Sequence, residues 1–377
     1  MKKLLLASTA LVMSAGVASA QVALSGDARM GVTYDNGRDA KLQFSSRARV
    51  TFTMSGETDT GLAFGASFRA DNATGANGNE SMTGGNVFIS GEFGRLRFGD
   101  VAGAARSVVG DLYGVGFRDV GAMNDLRYLD RQSVAGVSNF DGIPNNNLYS
   151  YNRRTAVLYD YSIEGFTFAL GLAQPNRTNF AIPDTLPANP TLVNTTGIPF
   201  SLIAILAAED LDGGFAAGDM GRYDERQFSL GVSYSFDGFT AALGYEDMRG
   251  KIQNLSEGTS NSYSAKHTIA SLEYEMDDFK VKGFVGRMGG NLGTGLGEAD
   301  NGARRTHYGL SVEGGFDATT VTAFAVRGFL TTDYGIGASY DLGGGASLAG
   351  GISRQGSNST LEIESRSRAD LGLNFRF

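Results

Sequence analysis

Along the segment ADLGLNFRF, apolar Ala369, Leu371, Leu373, Phe375 and Phe377 alternate with Asp370, Gly372, Asn374 and Arg376. Side chains of an extended strand point to opposite faces with period two, so this segment predicts a strand with one greasy and one polar face. The pattern recurs near the start of the chain. Over 22–34, Leu24, Ala28, Met30, Val32 and Tyr34 share one face, while Ser25, Asp27, Arg29 and Thr33 share the other. Over 41–54, Leu42, Phe44, Ala48, Val50, Phe52 and Met54 oppose Gln43, Ser45, Arg47, Arg49, Thr51 and Thr53, with Ser46 the one polar residue on the apolar side. Further strands are predicted near 61–71, 86–93, 95–100, 154–163, 166–174, 223–236, 239–249, 266–276, 279–288, 305–316, 318–329, 333–341 and 346–354, which with 365–377 makes sixteen.

The connections alternate in length. Short turns are expected at 55–60, 164–165, 237–238 and 342–345 and around Gly94, Asp277 and Asp317; longer loops at 35–40, 72–85, 101–153, 175–222, 250–265, 289–304 and 355–364, with 330–332 the one short connection on that side. This arrangement places the short turns at one membrane face and the long loops at the other. An even number of strands, closed on itself, leaves no open edge. Burying Arg47 and Arg49 in a dry core would cost several kcal/mol each without partners, and a soluble β-sandwich would offer only such a core. The wall of a water-filled lumen removes that cost. The expected fold is therefore all-β: a sixteen-stranded antiparallel transmembrane β-barrel with short periplasmic turns and long outer loops.

Composition narrows the reading further. No segment reaches the ~18 apolar residues of a spanning helix; IPFSLIAILAA at 198–208 falls short of it. Lys2 and Lys3, an apolar stretch from Leu4 to Met13 and Ala18-Ser19-Ala20 have the order of a secretory signal, expected to be cleaved after Ala20. The domain plan is a signal at 1–20 and a barrel at 21–377, with export through the periplasm to a cell outer membrane. Losing two lysines would take the formal charge from −8 to −10, which argues against nucleic acid as a partner. With no cysteine, the fold closes without disulfides. Gly at 54 residues and Tyr plus Phe at 39, against 6 Pro, suit curved, continuous strands with aromatic girdles.

Catalytic signatures are sparse. His267 and His307 are the only histidines, expected at or near strand ends, and lack companions at metal-ligand spacing. No serine sits in a nucleophile elbow. The glycine-rich stretch at 289–302 lacks the phosphate-cradling spacing and reads as an outer loop. The acid- and Asn-rich stretch 209–224 offers oxygen ligands for a structural calcium, without a ligand loop of defined spacing. No other cofactor is expected, and no enzyme activity.

Runs spread from end to end, LSGDARMGV (24–32), FTMSGETDTGLAFGASFRA (52–70), VFISGEFGRLRFGD (87–100), GDLYGVGF (110–117), GASYDLGGGASLAGGI (337–352) and ADLGLNFRF (369–377), resemble the outer-membrane porins of alphaproteobacteria, the Rhodobacter type in particular. The resemblance implies a homotrimeric channel whose long third outer loop folds into the barrel and narrows it, with basic wall residues facing acids on that loop. By position, Arg29, Arg47, Arg49 and Arg69 correspond to such wall arginines; Arg97 joins them from its inward parity.

The residues bear on this independently. A connection of 53 residues at 101–153 far exceeds the ~12–15 beyond which a structureless loop is normally functional. Arg47 and Arg49 would stand about 7 Å apart on one face and repel unless carboxylates lie opposite. Asp111, Asp119, Asp125 and Asp130 are the candidates. With Asp141, the loop carries five acids against Arg106, Arg118, Arg127, Arg131 and Arg153, so it announces no ion preference. The expected function is passive diffusion of small hydrophilic solutes and ions, with outer-membrane lipid and lipopolysaccharide as neighbours. The alternatives are a solute-selective channel lined by the extended outer loop 175–222, a barrel enzyme, or a structural or adhesive barrel.

Overall fold

In the computed structural model, residues 21–74, 81–82, 85–118, 120, 123–129, 156–181, 218–290, 305–329, 331–359 and 363–377 are described. The expected signal segment, Asp119, Asp130 and most of the calcium candidate stretch lie outside them. Sixteen strands follow one another: β1 (Gln21–Asp35), β2 (Leu42–Glu57), β3 (Ala63–Thr74), β4 in two pieces (Ser81–Met82 and Asn86–Gly91), β5 (Gly94–Gly99), β6 (Ala156–Ile163), β7 (Phe166–Ala181) and β8 (Met220–Phe236). They continue as β9 (Phe239–Asn254), β10 (Thr259–Met276), β11 (Phe279–Gly289), β12 (Thr306–Phe316), β13 (Thr319–Arg327), β14 (Thr332–Gly343), β15 (Ala346–Gln355) and β16 (Arg366–Arg376). A short helix, α1 (Ala104–Val109), follows β5.

Each strand pairs antiparallel with the next, and β16 returns to β1 from Asp27↔Arg376 to Asp35↔Arg368. The predicted closed barrel of sixteen strands is therefore what forms. Across the closing seam, the Asp35 carboxylate accepts from Arg366 at 2.5 and 2.7 Å and from Arg368 at 3.2 Å. Tight turns close one end of the barrel. At Asp237-Gly238, both residues have positive φ (44° and 79°), the type I′ geometry that matches strand twist and that Asp and Gly tolerate.

The outward faces are apolar and bare: Phe44 is 91% exposed, Leu24 64% and Leu272 55%. Exposure on that scale over a whole cylinder marks a surface that needs lipid. Beside the short turns, Phe166, Tyr234, Phe236, Phe239 and Tyr274 stack in sequence with centroids 4.2–5.6 Å apart, forming an aromatic girdle. Phe88, which breaks the outward apolar pattern, faces inward. It lies opposite Gly65, where a Cβ would come within 2.6 Å of its ring, and Arg95 caps it at 4.5 Å.

Two expectations are corrected. The loop expected at 250–265 is mostly strand, reduced to a turn at 255–258. The loop expected at 175–222 is likewise strand up to Ala181 and from Met220. In both, charged residues occupy outward positions, so the apolar alternation stops before the hydrogen-bond ladder does. His267 consequently lies in mid-β10 rather than near a strand end, whereas His307 stands near the start of β12 as expected.

The core lies within the barrel. Ala105, Val109, Leu112, Val115, Val120, Met123, Leu126 and Tyr128 of the 101–129 segment pack on inward-facing Ala242, Ile269, Phe284, Phe324 and Val326. Close approach depends on glycine: a Cβ at Gly244 would stand 2.7 Å from the Ala105 Cβ, and one at Gly231 2.5 Å from the Ala104 carbonyl. These bare backbones let α1 lie flat on the wall.

Candidate pore constriction

Parity and register place a block of arginines on the lumen face of the first three strands. Arg29 lies directly across from Arg47, Asp27 across from Arg49, and Arg69 across from Thr51. The predicted repulsion between Arg47 and Arg49 is answered from within the wall. The Asp27 carboxylate accepts from Arg47 at 3.0 Å and from Arg49 at 2.6 and 2.8 Å. Charge-assisted, bidentate pairing of this kind holds a guanidinium in one orientation. Arg97, also inward, pairs with Asp160 of β6. Both counter-ions sit on the polar face of alternating strands. Their parity was readable, but their register to the arginines was not.

The segment 101–129 crosses the inside of the barrel, pinned by wall side chains that accept its backbone N–H groups. Ala104 donates to the Ser229 hydroxyl of β8 at 2.7 Å and Tyr113 to that of Ser311 on β12 at 3.1 Å. Phe117 and Arg118 donate to the Asp370 carboxylate of β16 at 3.1 and 2.9 Å. Leu129 donates to the Glu246 carboxylate of β9 at 2.9 Å. From β15, the Ser353 hydroxyl donates to the Val120 carbonyl at 3.2 Å. Without such acceptors the segment could not be buried, because each orphaned backbone group would cost about 1–3 kcal/mol.

One pin has a supporting chain. Fully buried Glu246 also receives the His267 Nδ1 at 2.9 Å, and the His267 Nε2 meets the His307 Nε2 at 2.8 Å. The carboxylate makes Nδ1–H the natural donor, which leaves the His267 Nε2 to accept from His307.

Of the loop aspartates, Asp111 pairs with Arg106 at 3.0 Å and accepts the Leu126 N–H at 2.8 Å, which ties the loop to itself. Asp125 is exposed. Among the described loop residues, Arg118 comes near the arginine wall. Burial and neighbouring Arg38 and Arg47 pull its guanidinium below the ordinary range, against the opposing effect of Asp370.

Carboxylates stand on the far wall instead. β2 and β10 are eight staves apart in a ring of sixteen, hence diametrically opposed. Glu273 and Glu275 of β10 and Glu313 of β12 face the lumen there, with Lys282 at 3.3 Å from Glu273 and Lys280 at 3.0 Å from Glu275. The Tyr113 hydroxyl of the loop donates to Glu273 at 2.8 Å. Burial and that carboxylate raise its pKa above the phenol range, so it remains a neutral donor. Sequence reasoning placed the acids on the loop and missed Asp27, Asp160, Glu246, Glu273 and Asp370. Among the described residues, no group of three or more His, Asp or Glu is arranged to hold a metal ion.

A closed barrel with an apolar outer face, charged residues on its inner face and a segment folded inside has the geometry of a channel, and comparison with known proteins agrees. The family model for Gram-negative porins matches residues 7–360. A curated porin of Rhodobacter capsulatus is 33% identical over 369 residues, covering 95% of this chain and all of the relative. A porin structure refined at 1.8 Å aligns with TM-score 0.59 at 30% identity, over 95% of this chain and all of that one. A Rhodopseudomonas blastica porin carrying three substitutions aligns with TM-score 0.57 at 20% identity, over 95% of this chain and all of that one, a likeness of fold. The chain belongs to the Gram-negative porin family.

Proposed function

We propose that solutes crossing this outer-membrane diffusion channel are sized and oriented where the 101–129 segment narrows the lumen between the arginines of β1–β3 and the glutamates of β10 and β12. The observation that carries the reading is the set of wall acceptors holding that segment across the inside of the barrel. Separated charge in a narrow, partly desolvated passage produces a transverse field. Such a field aligns dipolar, hydrated solutes and disfavours apolar ones. Arg29, Arg47, Arg49 and Arg69 form its positive side, with Arg97 lower on the wall; Asp27 tempers it. The reading assigns these side chains no covalent chemistry.

The channel is proposed to work as a homotrimer set in outer-membrane lipid. The outward faces of β1–β6 carry no Lys or Arg among the described residues, and include small Gly26, Ala28, Ala48 and Ala66 that permit close barrel-to-barrel approach. Planar-bilayer recording of the purified protein tests the reading directly. Step conductances that fall as polyethylene glycols small enough to enter are added, in channels arriving in threes, are the expected result. Absence of steps from correctly folded protein would refute it.

A further inference from the structure

The outward faces of the wall are apolar at mid-height, but from β7 to β10 they end in a basic cluster at the loop side. Arg177, Arg226, Arg249, Lys251 and Lys266 all share outward parity with the lipid-facing Leu172, Leu230, Leu243 and Leu272. They line a groove of about 860 Å³. Pro175, which also lines it, sits at a bulge in β7 where Gln174 and Pro175 together oppose Arg226. Proline donates no ladder bond, so a bulge is where a strand accommodates it.

The height of the groove is fixed by the strands. Arg249 lies ten residues from Phe239 of the aromatic girdle, about 33 Å along the strand. At a tilt near 40° that is a rise of ~25 Å, the height of the apolar band of such barrels. The basic side chains therefore stand where the headgroups of the outer leaflet begin. Their charge is not cancelled locally: Asp224 pairs with Arg177, and Asp247 with Arg249 at 2.7 Å. Arg226, Lys251 and Lys266, all exposed, form no ion pair among the described residues. Glu225, which also lines the groove, is buried; five bases against Asp224, Asp247 and Glu225 still leave a local charge of +2 on a chain whose formal charge is −8.

We infer that this groove binds the phosphate groups of a lipid headgroup in the outer leaflet, with the acyl chains lying on the leucine face below. The inference rests on the outer-membrane placement of the barrel and deepens it to a site. Guanidinium groups supply paired donors that match phosphate oxygens, and lysines supply point charge. A free phosphate would meet the same charges but lacks the chains that reach the apolar face. A lipid is therefore the occupant.

The test compares the protein with Arg226→Gln/Lys251→Gln/Lys266→Gln and with a charge-matched control at other outward rim positions, Arg287→Gln/Arg327→Gln/Arg354→Gln. Delipidated barrels are titrated with diphosphorylated lipid A, with the same lipid stripped of phosphate, and with inorganic phosphate, and bound lipid is counted by native mass spectrometry. The groove variant is expected to bind diphosphorylated lipid A at least tenfold more weakly, and the control within about threefold of the parent. The stripped lipid is expected to bind all three alike. Equal weakening in the control would replace the site by a diffuse charged rim, and equal binding of stripped and phosphorylated lipid to the parent would remove phosphate recognition. Displacement of the lipid by an equal concentration of inorganic phosphate would overturn the lipid as occupant. None of the substituted side chains faces the lumen, so single-channel conductance stays at the parent value and certifies the fold. Should the triple variant fail to fold, Lys266→Gln alone is expected to weaken binding about threefold, and unchanged binding would count against the groove. A parent that forms no channels would refute the diffusion reading while leaving the lipid counts to decide this one.

Discussion

Replacing Glu246 with alanine tests whether the inward segment is held by its buried acceptors. The carboxylate is fully buried and takes two N–H groups, those of Leu129 and the His267 Nδ1, each at 2.9 Å. Removing it strands both donors, at about 1–3 kcal/mol each, so roughly 2–6 kcal/mol in all before any cavity cost. The strand ladder does not depend on this side chain. His267 stays on the wall, so only the stranded Leu129 N–H weighs on the segment; at about 1.4 kcal/mol per tenfold, its lower bound of about 1 kcal/mol raises the lifted population roughly fivefold. Single-channel recording reads this as more frequent excursions to a larger conductance, and limited proteolysis as faster cleavage near Leu129. Glu246→Gln, which keeps an acceptor but loses the charge, is expected to fall between the two. A folded Glu246→Ala channel with excursion frequency and conductance within twofold of the parent would refute the reasoning, because buried donors would then have found other partners at no cost.

Two further perturbations separate the charge argument from the lipid argument. Asp27→Asn removes the shared counter-ion of Arg47 and Arg49, so the reversal potential in a salt gradient is expected to move toward anions, while Arg47→Ala with Arg49→Ala moves it toward cations. Identical reversal potentials in all three proteins would remove these residues from the constriction. Leu243→Arg, on the lipid face at mid-height and 50% exposed in the isolated chain, is expected to cost about 2–4 kcal/mol of folding stability in a bilayer. Urea titration in vesicles measures it, and a loss under ~1 kcal/mol would contradict the outward assignment.

The barrel was legible because period two is imposed by the backbone and the two sides of the wall meet opposite solvents. Leu42 to Met54 against Gln43 to Thr53 already gives the sign of each face. What stayed hidden depends on which strand residue meets which. Asp27 was visibly inward, yet its service to Arg47 and Arg49 follows from register, set by pairing across twenty residues. Asp111, the loop acid whose pairing is seen, is taken up locally for a related reason. Asp111 satisfies Arg106, five residues away, before any wall group can compete. Apolar inward residues such as Ile269, Phe284 and Phe324 also run against a simple wet interior; the 101–129 segment covers them.

Parity along these strands therefore encodes four environments rather than two. Outward and apolar means lipid; inward and polar means water; inward and apolar, as at Ala242, Ile269, Phe284 and Val326, marks where chain returns to cover the wall. Outward and charged, as at Arg226 and Lys266, marks where lipid tails give way to headgroups while the ladder runs on. The strands of β7–β10 were predicted too short because alternation ends at that boundary and hydrogen bonding does not. A ladder needs only backbone groups and continues as long as its neighbour does; the side chains merely report which medium they have reached. The same physics that ended the predicted strands early thus sets the upper edge of the membrane on the molecule.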